Sequence, residues 1–131
     1  MGTTLDTTYK LKVLAVDDDP FILDTVVKYL TARDLHVIST TDPETVIPLA
    51  SKENPRLIIS DIAMPGMDGL TLLKNLKGNP ATCDIPLILL TSSRNAADIQ
   101  EGLNSGAEAY LIKPIDWDIS WPKIQAILLR T

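Results

Sequence analysis

Short apolar runs alternate along the chain with stretches in which apolar residues recur at helical spacing. Four runs are continuous rather than alternating, which is typical of parallel strands buried on both faces. They cover residues 12–16, 57–59, 86–90 and 109–112. A fifth run, residues 35–39, alternates more between apolar and polar positions and predicts a strand at a sheet edge. The pattern therefore predicts a parallel sheet of five strands.

Capping signals and apolar spacing predict a helix after each strand. An Asp-Pro pair begins the first helix at Asp19 and the second at Asp42, because aspartate caps a helix and proline fits its first position. Asp68 begins the third helix. The fourth covers residues 94–105 and ends at Gly106, a residue suited to the turn that follows a helix. Five strand–helix pairs predict an open, doubly wound α/β fold with right-handed crossovers.

Two prolines affect the helix assignments. Pro48 lies inside the second predicted helix and should kink or split it, since proline has no N–H to donate. Pro122 is tolerated only near the start of a helix, which places the start of the fifth helix near Ser120 or Trp121.

Length and composition narrow the class of protein. The 131 residues suit one domain, with residues 1–9 as a flexible polar tail and residues 10–131 as the folded domain. A formal net charge of −5 disfavours direct binding to nucleic acid. The single cysteine allows no internal disulfide, and no apolar run approaches the roughly 20 residues of a membrane span. We expect a cytoplasmic protein that contacts neither nucleic acid nor membrane.

Polar residues follow four of the predicted strands at their carboxyl ends, where doubly wound sheets bind ligands. Residues 17–19 are all aspartates, Asp61 follows the third strand, Thr91 the fourth and Lys113 the fifth. Carboxylates held close together repel unless a cation intervenes, and an all-oxygen ligand set suits Mg²⁺. A bound metal beside a carboxylate nucleophile, a hydroxyl and an ammonium group is typical of phosphoryl transfer.

Four segments closely resemble the receiver domain of two-component response regulators, the CheY-like family. They are VDDDP at 16–20, SDIAMPGMDG at 60–69, LTSS at 90–93 and YLIKP at 110–114. Each motif is weak alone, but all four occur in order, each after a predicted strand. The resemblance covers about residues 10–130 and implies a flavodoxin-like (βα)5 fold. Its parallel sheet would have strand order 2-1-3-4-5, with helices on both faces.

The resemblance also implies a metal site and a phospho-acceptor. Asp61 would accept the phosphoryl group. Asp18, Asp61 and the backbone carbonyl of Ala63 would bind Mg²⁺ directly, and Asp17 would act through water. Asp19 is instead expected to cap the first helix.

Further roles concern the bound phosphoryl group. Thr91 and Lys113 would each bind a phosphoryl oxygen, and Tyr110 would occupy the position whose rotamer reports activation. The Lys113–Pro114 peptide bond is expected to be cis. Two positions that influence phosphoryl lifetime hold the small residues Ala63 and Ser93, so we expect their side chains to give no help to self-dephosphorylation.

The function implied is that of a phosphorelay switch. A sensor histidine kinase or a histidine phosphotransfer protein would supply the phosphoryl group. The surface of the fourth helix, fifth strand and fifth helix would then change for an output domain, a partner protein or a second copy in a phosphorylation-dependent homodimer. The chain would not be an enzyme beyond self-phosphorylation and self-dephosphorylation. The alternative within the family is a degenerate receiver that serves as a scaffold or dimerisation module without switching.

Two other classes are disfavoured by particular residues. Aspartate-nucleophile phosphatases carry a second aspartate two residues after the nucleophile, whereas Ala63 here cannot transfer a proton. A flavin-binding domain would need a glycine- and hydroxyl-rich loop after the first strand, but residues 17–19 would repel a phosphate that lacks a metal.

The sequence leaves two interpretations open for Trp117 and Trp121. They could pack in the core, or they could form an exposed apolar patch that binds a partner.

Overall fold

In a computed structural model, the chain is described over residues 10–92 and 96–130, so the expected tail at 1–9 lies outside the described residues. The strands are β1 (Lys12–Val16), β2 (His36–Thr40), β3 (Leu57–Asp61), β4 (Leu87–Thr91) and β5 (Ala109–Ile112). The helices are α1 (Pro20–Thr31), α2 (Val46–Glu53), α3 (Gly69–Lys77), α4 (Ala96–Asn104) and α5 (Trp117–Leu128). All strand pairs are parallel, in the order β2-β1-β3-β4-β5. The predicted doubly wound fold and its strand order are confirmed.

The sheet separates two apolar layers. Successive strand residues point to opposite faces, so Val13 packs with α1 and α5 while Leu14 packs with α2 and α3. Every residue of β3 and β4 is buried, whereas β2 is half-exposed, as the alternating edge pattern predicts. The last residues of β3 and β4, Asp61 and Thr91, are therefore held by strands that are buried along their whole length.

No helix within the described ranges combines the length and apolarity needed to cross a lipid bilayer.

Aspartate side chains cap the helices where the sequence predicts them. Asp19 accepts a hydrogen bond from the N–H of Phe21 at the start of α1, and Asp68 accepts one from Thr71 at the start of α3. The second predicted helix is divided into a 3-10 turn at Pro43–Thr45 and α2, but this division falls before Pro48 and α2 is continuous through Pro48. Pro48 itself lies in the first turn of α2, where its missing N–H removes no helical hydrogen bond. The predicted start of α4 at residue 94 lies outside the described residues.

The prediction for the start of the fifth helix is wrong. Asp116 caps α5 by accepting from the N–H of Asp118, so Pro122 lies inside the helix rather than near its start. The proline removes the donor that would have bonded the carbonyl of Asp118, an exposed residue. Packing of the early turns against α1 offsets the loss, since the ring of Trp117 stacks on Tyr29 with 3.8 Å between centroids.

Both tryptophans belong to this contact between α1 and α5, which we call the α1–α5 seam (Tyr29, Arg33, Trp117 and Trp121). The Trp121 ring lies edge-on to Tyr29 at 6.2 Å, and the Arg33 guanidinium lies 3.5 Å from the Tyr29 ring centroid. Trp117 and Trp121 are half-buried against the apolar layer of α1 and α5. Of the two interpretations left open by the sequence, the structure favours core packing.

Candidate functional site

The carboxyl ends of three strands bring two aspartates and one lysine into contact. Lys113 follows β5, and its Nζ lies 2.7 Å from Oδ2 of Asp17 and 3.3 Å from Oδ1 of Asp61. All three side chains are largely buried, with exposed fractions of 13% for Lys113, 1% for Asp17 and 8% for Asp61. Because β1 and β5 flank the central pair β3 and β4, residues far apart in sequence converge on one point.

The acidic residues form a cluster that can hold a cation. Asp17, Asp18 and Asp61 each offer a carboxylate oxygen, and these oxygens lie within 4.8 Å of one another. Asp17 and Asp61 are buried, whereas Asp18 is exposed at the rim. Three carboxylates face the single ammonium group of Lys113, so negative charge is in excess. An all-oxygen donor set with one solvent-facing member fits Mg²⁺, which keeps part of its water shell.

The pKa values of the buried pair reflect this excess. Burial, and then the neighbouring Asp17 carboxylate, raise the pKa of Asp61 to about 6, although Lys113 and the N–H of Ala63 act in the opposite direction. Burial opposes the charged form of Lys113, but its hydrogen bonds and ion pairs with Asp17 and Asp61 outweigh that effect and raise its pKa. Without a metal, the Asp61 carboxylate is therefore harder to ionise than an exposed one.

The three consecutive aspartates after β1 divide into different roles. Asp17 turns inward, and its Oδ1 accepts a hydrogen bond of 2.9 Å from the N–H of Asp19. Asp19 caps α1 through its own side chain, 2.9 Å from the N–H of Phe21. Asp18 between them is left exposed at the cluster. One short turn thus places two carboxylates in the acidic cluster, and the third begins a helix.

The cluster opens into a cleft of about 520 Å³. Its walls include the acidic cluster, Lys113 and these further residues: Asp19, Ile22, Ala63, Ser92 and Pro114. The Lys113–Pro114 peptide bond in this wall is cis. Sequence reasoning assigned no role to Ile22 or Ser92. Ser92 stands in the LTSS segment directly after Thr91, and Ile22 lies in the first turn of the helix that Asp19 caps.

Neither Thr91 nor Tyr110 is among the residues that line this cleft. Thr91 is buried at the end of β4, and its carbonyl accepts a hydrogen bond of 2.8 Å from the N–H of Lys113. Tyr110 of β5 does not line the cleft but borders a groove with Ile119 and Lys123. The Lys123 Nζ lies 5.3 Å from the Tyr110 ring centroid. The structure thus brings together the acidic residues, Lys113 and the end of β4, and keeps Tyr110 apart.

Comparison with known proteins gives the same family from sequence and from structure. Residues 13–119 match the sequence model of the family described as "Response regulator receiver domain". The chain is 34% identical over 116 residues to Response regulator PleD of Caulobacter vibrioides, covering 88% of this chain and 26% of that protein. It is 35% identical over 120 residues to the DNA-binding dual master transcriptional regulator RpaA of a Synechocystis species, covering 92% of this chain and 50% of that protein.

The chain thus spans about a quarter to a half of the length of these relatives. Among solved structures, the chemotaxis response regulator CheY4 of Vibrio cholerae has a TM-score of 0.83 and 30% sequence identity. That match covers 90% of this chain and 98% of the other. The family match over residues 13–119 includes Asp17, Asp61 and Lys113. The chain therefore belongs to the response regulator receiver domains of two-component signalling.

Proposed function

We propose that this receiver domain accepts a phosphoryl group on Asp61 from a phosphohistidine of a sensor kinase or phosphotransfer protein. The observation that carries the proposal is the contact of Lys113 with both Asp17 and Asp61, at 2.7 and 3.3 Å, at the base of an open cleft. Burial of Asp61 next to Asp17 raises the pKa of Asp61 and so costs stability at neutral pH, even with Lys113 beside the pair. A degenerate receiver would have no need of such an arrangement.

In the transfer step, an Oδ atom of ionised Asp61 attacks the phosphorus. The new P–O bond forms as the P–N bond to histidine breaks, and the imidazole leaves with the bonding electron pair. Lys113 lies close enough to Asp61 to bind an oxygen of the group transferred. When bound by Asp18, Asp61 and the Ala63 carbonyl, with Asp17 acting through water, Mg²⁺ would supply positive charge for the phosphoryl oxygens.

Phosphorylation would alter the rest of the domain through a change at Thr91, the last residue of β4. Thr91 would bind a phosphoryl oxygen through its hydroxyl group, and Tyr110 would change rotamer on the neighbouring strand. The backbone N–H of Lys113 donates a hydrogen bond to the carbonyl of Thr91, so a displacement of one residue would displace the other. The surface of α4, β5 and α5 would then favour an output domain, a partner protein or a second copy. Phosphorylation acts by the free-energy difference that it makes between the two surface states.

Mass spectrometry after incubation with acetyl phosphate tests the proposal. With Mg²⁺, we expect one labile phosphoryl group on the peptide that contains Asp61, and none when EDTA replaces Mg²⁺. Asp61→Asn should remain unlabelled because the amide is not a nucleophile of comparable strength. Absence of label on the unaltered chain, under conditions that label another receiver domain, would favour the non-switching scaffold instead.

The lifetime of the phosphoryl group depends on the side chain at residue 63. Ala63 is exposed in the wall of the cleft and offers no hydrogen bond to an attacking water molecule. We expect Ala63→Asn to release phosphate faster, because an amide there can orient the water. The decay of the labelled protein, followed by phosphate release, measures this. Ala81→Asn, at an exposed site away from the cleft, is the control, and equal rates for the two variants would contradict the prediction.

A further inference from the structure

The first residue of α3, Gly69, lies unusually close to the backbone of the proposed phospho-acceptor. An ideal Cβ at Gly69 would lie 2.2 Å from the carbonyl oxygen of Asp61 and 2.9 Å from Cα of Ile62. Contacts under 3.0 Å essentially never occur for real Cβ atoms. Gly69 does not have a positive φ, so the backbone conformation does not require a glycine there. It is the space beside Asp61 that excludes any larger residue.

Two hydrogen bonds hold the same stretch of backbone. The N–H of Gly69 donates to the carbonyl of Ile62 at 2.7 Å. The hydroxyl of Ser60, a fully buried residue, donates to the carbonyl of Asp61 at 2.9 Å. The peptide groups on the carboxyl side of Asp61 are therefore fixed by Ser60 from the strand and by Gly69 from the helix. A buried hydroxyl group needs a hydrogen-bond partner, and the Asp61 carbonyl provides one for Ser60.

The hydrogen bond from Gly69 to Ile62 also closes the loop between β3 and α3. This loop includes Ala63, whose N–H lies 3.4 Å from Oδ1 of Asp61. Asp68 anchors the far end of the loop by capping α3. The Asp61 carboxylate and the Ala63 carbonyl are thus carried by one clamped segment, so a shift of Gly69 would displace both.

We propose that Gly69 and Ser60 are positioning residues for phosphoryl acceptance. By fixing the backbone of Asp61, they keep its carboxylate within the acidic cluster and beside Lys113. This inference rests on the proposed function of Asp61. Adding a methyl group at Gly69 requires the nearest contact to lengthen by roughly 1 Å, and a misplacement of that size can cost about 100-fold in rate.

The test compares Gly69→Ala with Gly78→Ala at the opposite end of α3. A Cβ at Gly78 would meet the Lys74 carbonyl at 3.4 Å, an ordinary contact. We measure the initial rate of labelling by acetyl phosphate over a range of Mg²⁺ concentrations, and urea unfolding of the same samples. Gly69→Ala should be labelled roughly 10- to 100-fold more slowly and need more Mg²⁺ for half-maximal rate. Gly78→Ala should match the unaltered chain in both respects.

Ser60→Ala gives an independent measurement, because it removes the hydrogen bond without adding an atom. It should label several-fold more slowly while remaining folded, which covers the case in which Gly69→Ala does not fold. Folded Gly69→Ala and Ser60→Ala proteins with unaltered rates and Mg²⁺ dependence would overturn the inference while leaving the proposed function intact. An unlabelled starting protein would instead overturn the proposed function, and this inference with it.

Discussion

Replacing Asp61 by asparagine is expected to raise the free energy of unfolding of the metal-free protein by roughly 2–3 kcal/mol at pH 7.5. Burial and the Asp17 carboxylate raise the pKa of Asp61 from 3.8 to about 6, so ionising this group in the folded state is unfavourable. Asparagine has nearly the same shape and carries no charge. The variant therefore keeps the packing and avoids both the burial of a charge and its repulsion by Asp17, although it loses the attraction to Lys113.

The sign of this effect gives a characteristic pH dependence. Because the folded protein binds the Asp61 proton more tightly than the unfolded chain, the contribution of Asp61 is most favourable below about pH 4. That contribution is lost as the pH rises through about 6. The stability gain of Asp61→Asn should thus be small near pH 4 and reach its full size above pH 6.

Urea unfolding in EDTA across this pH range measures the difference. Asp84→Asn, a change at an exposed carboxylate, serves as the control and should be nearly neutral throughout. A gain for Asp61→Asn that did not vary with pH would contradict the assigned cause. Saturating Mg²⁺ should reduce the gain, since a cation that binds the folded protein stabilises the unaltered chain more.

Lys113→Met should lower the free energy of unfolding by about as much as Asp61→Asn raises it. Removal of the ammonium group leaves the buried Asp17 and Asp61 carboxylates facing each other without a counter-charge. Breaking a buried pair in this way typically costs about 3 kcal/mol or more. We expect a loss of that size in the free energy of unfolding at pH 7.5 without metal. Adding Asp61→Asn to the variant should recover part of the loss, because one of the two repelling charges is then absent.

An exposed ion pair provides the matched control. Lys28 pairs with Asp24 at 2.9 Å on the surface of α1, with side chains 77% and 58% exposed. Lys28→Met should cost at most about 0.5 kcal/mol, because solvent screens such pairs. If Lys113→Met cost no more than Lys28→Met, the buried contacts of Lys113 would not stabilise the fold as expected.

We also expect phosphorylated Lys113→Ala to lack the change in the α4–β5–α5 surface, which hydrogen exchange can measure.

The sequence predicts the parts of the fold that depend on local pattern. Strands buried on both faces appear as continuous apolar runs, and helix starts appear as capping aspartates such as Asp19 and Asp68. Local rules alone place the start of α5 too late, because they disfavour Pro122 inside a helix. The stack of Trp117 on Tyr29 joins residues distant in sequence, so no short-range pattern reveals the packing that makes this helix tolerable.

The sequence likewise predicts some features of the candidate site, and others depend on the folded chain. The sequence places Asp17, Asp61 and Lys113 at the carboxyl ends of strands, and parallel strands bring such ends to one edge of the sheet. Their distances, the burial of the acidic pair and the resulting pKa of Asp61 depend on the neighbours that the folded chain supplies. The close approach of Gly69 to the Asp61 carbonyl is likewise absent from the sequence pattern, since only the folded chain brings the start of α3 against the end of β3.

The α1–α5 seam gives this protein an optical probe of one particular contact. The chain has two tryptophans, and both lie in the seam against Tyr29. Their emission during denaturation therefore follows the release of α5 from α1, while far-ultraviolet circular dichroism follows all helices together. Coincident curves would mean that the seam opens only when the whole domain unfolds. An earlier change in emission would identify α5 as a separately melting unit, linked to β5 by the short segment 113–116 that begins with Lys113.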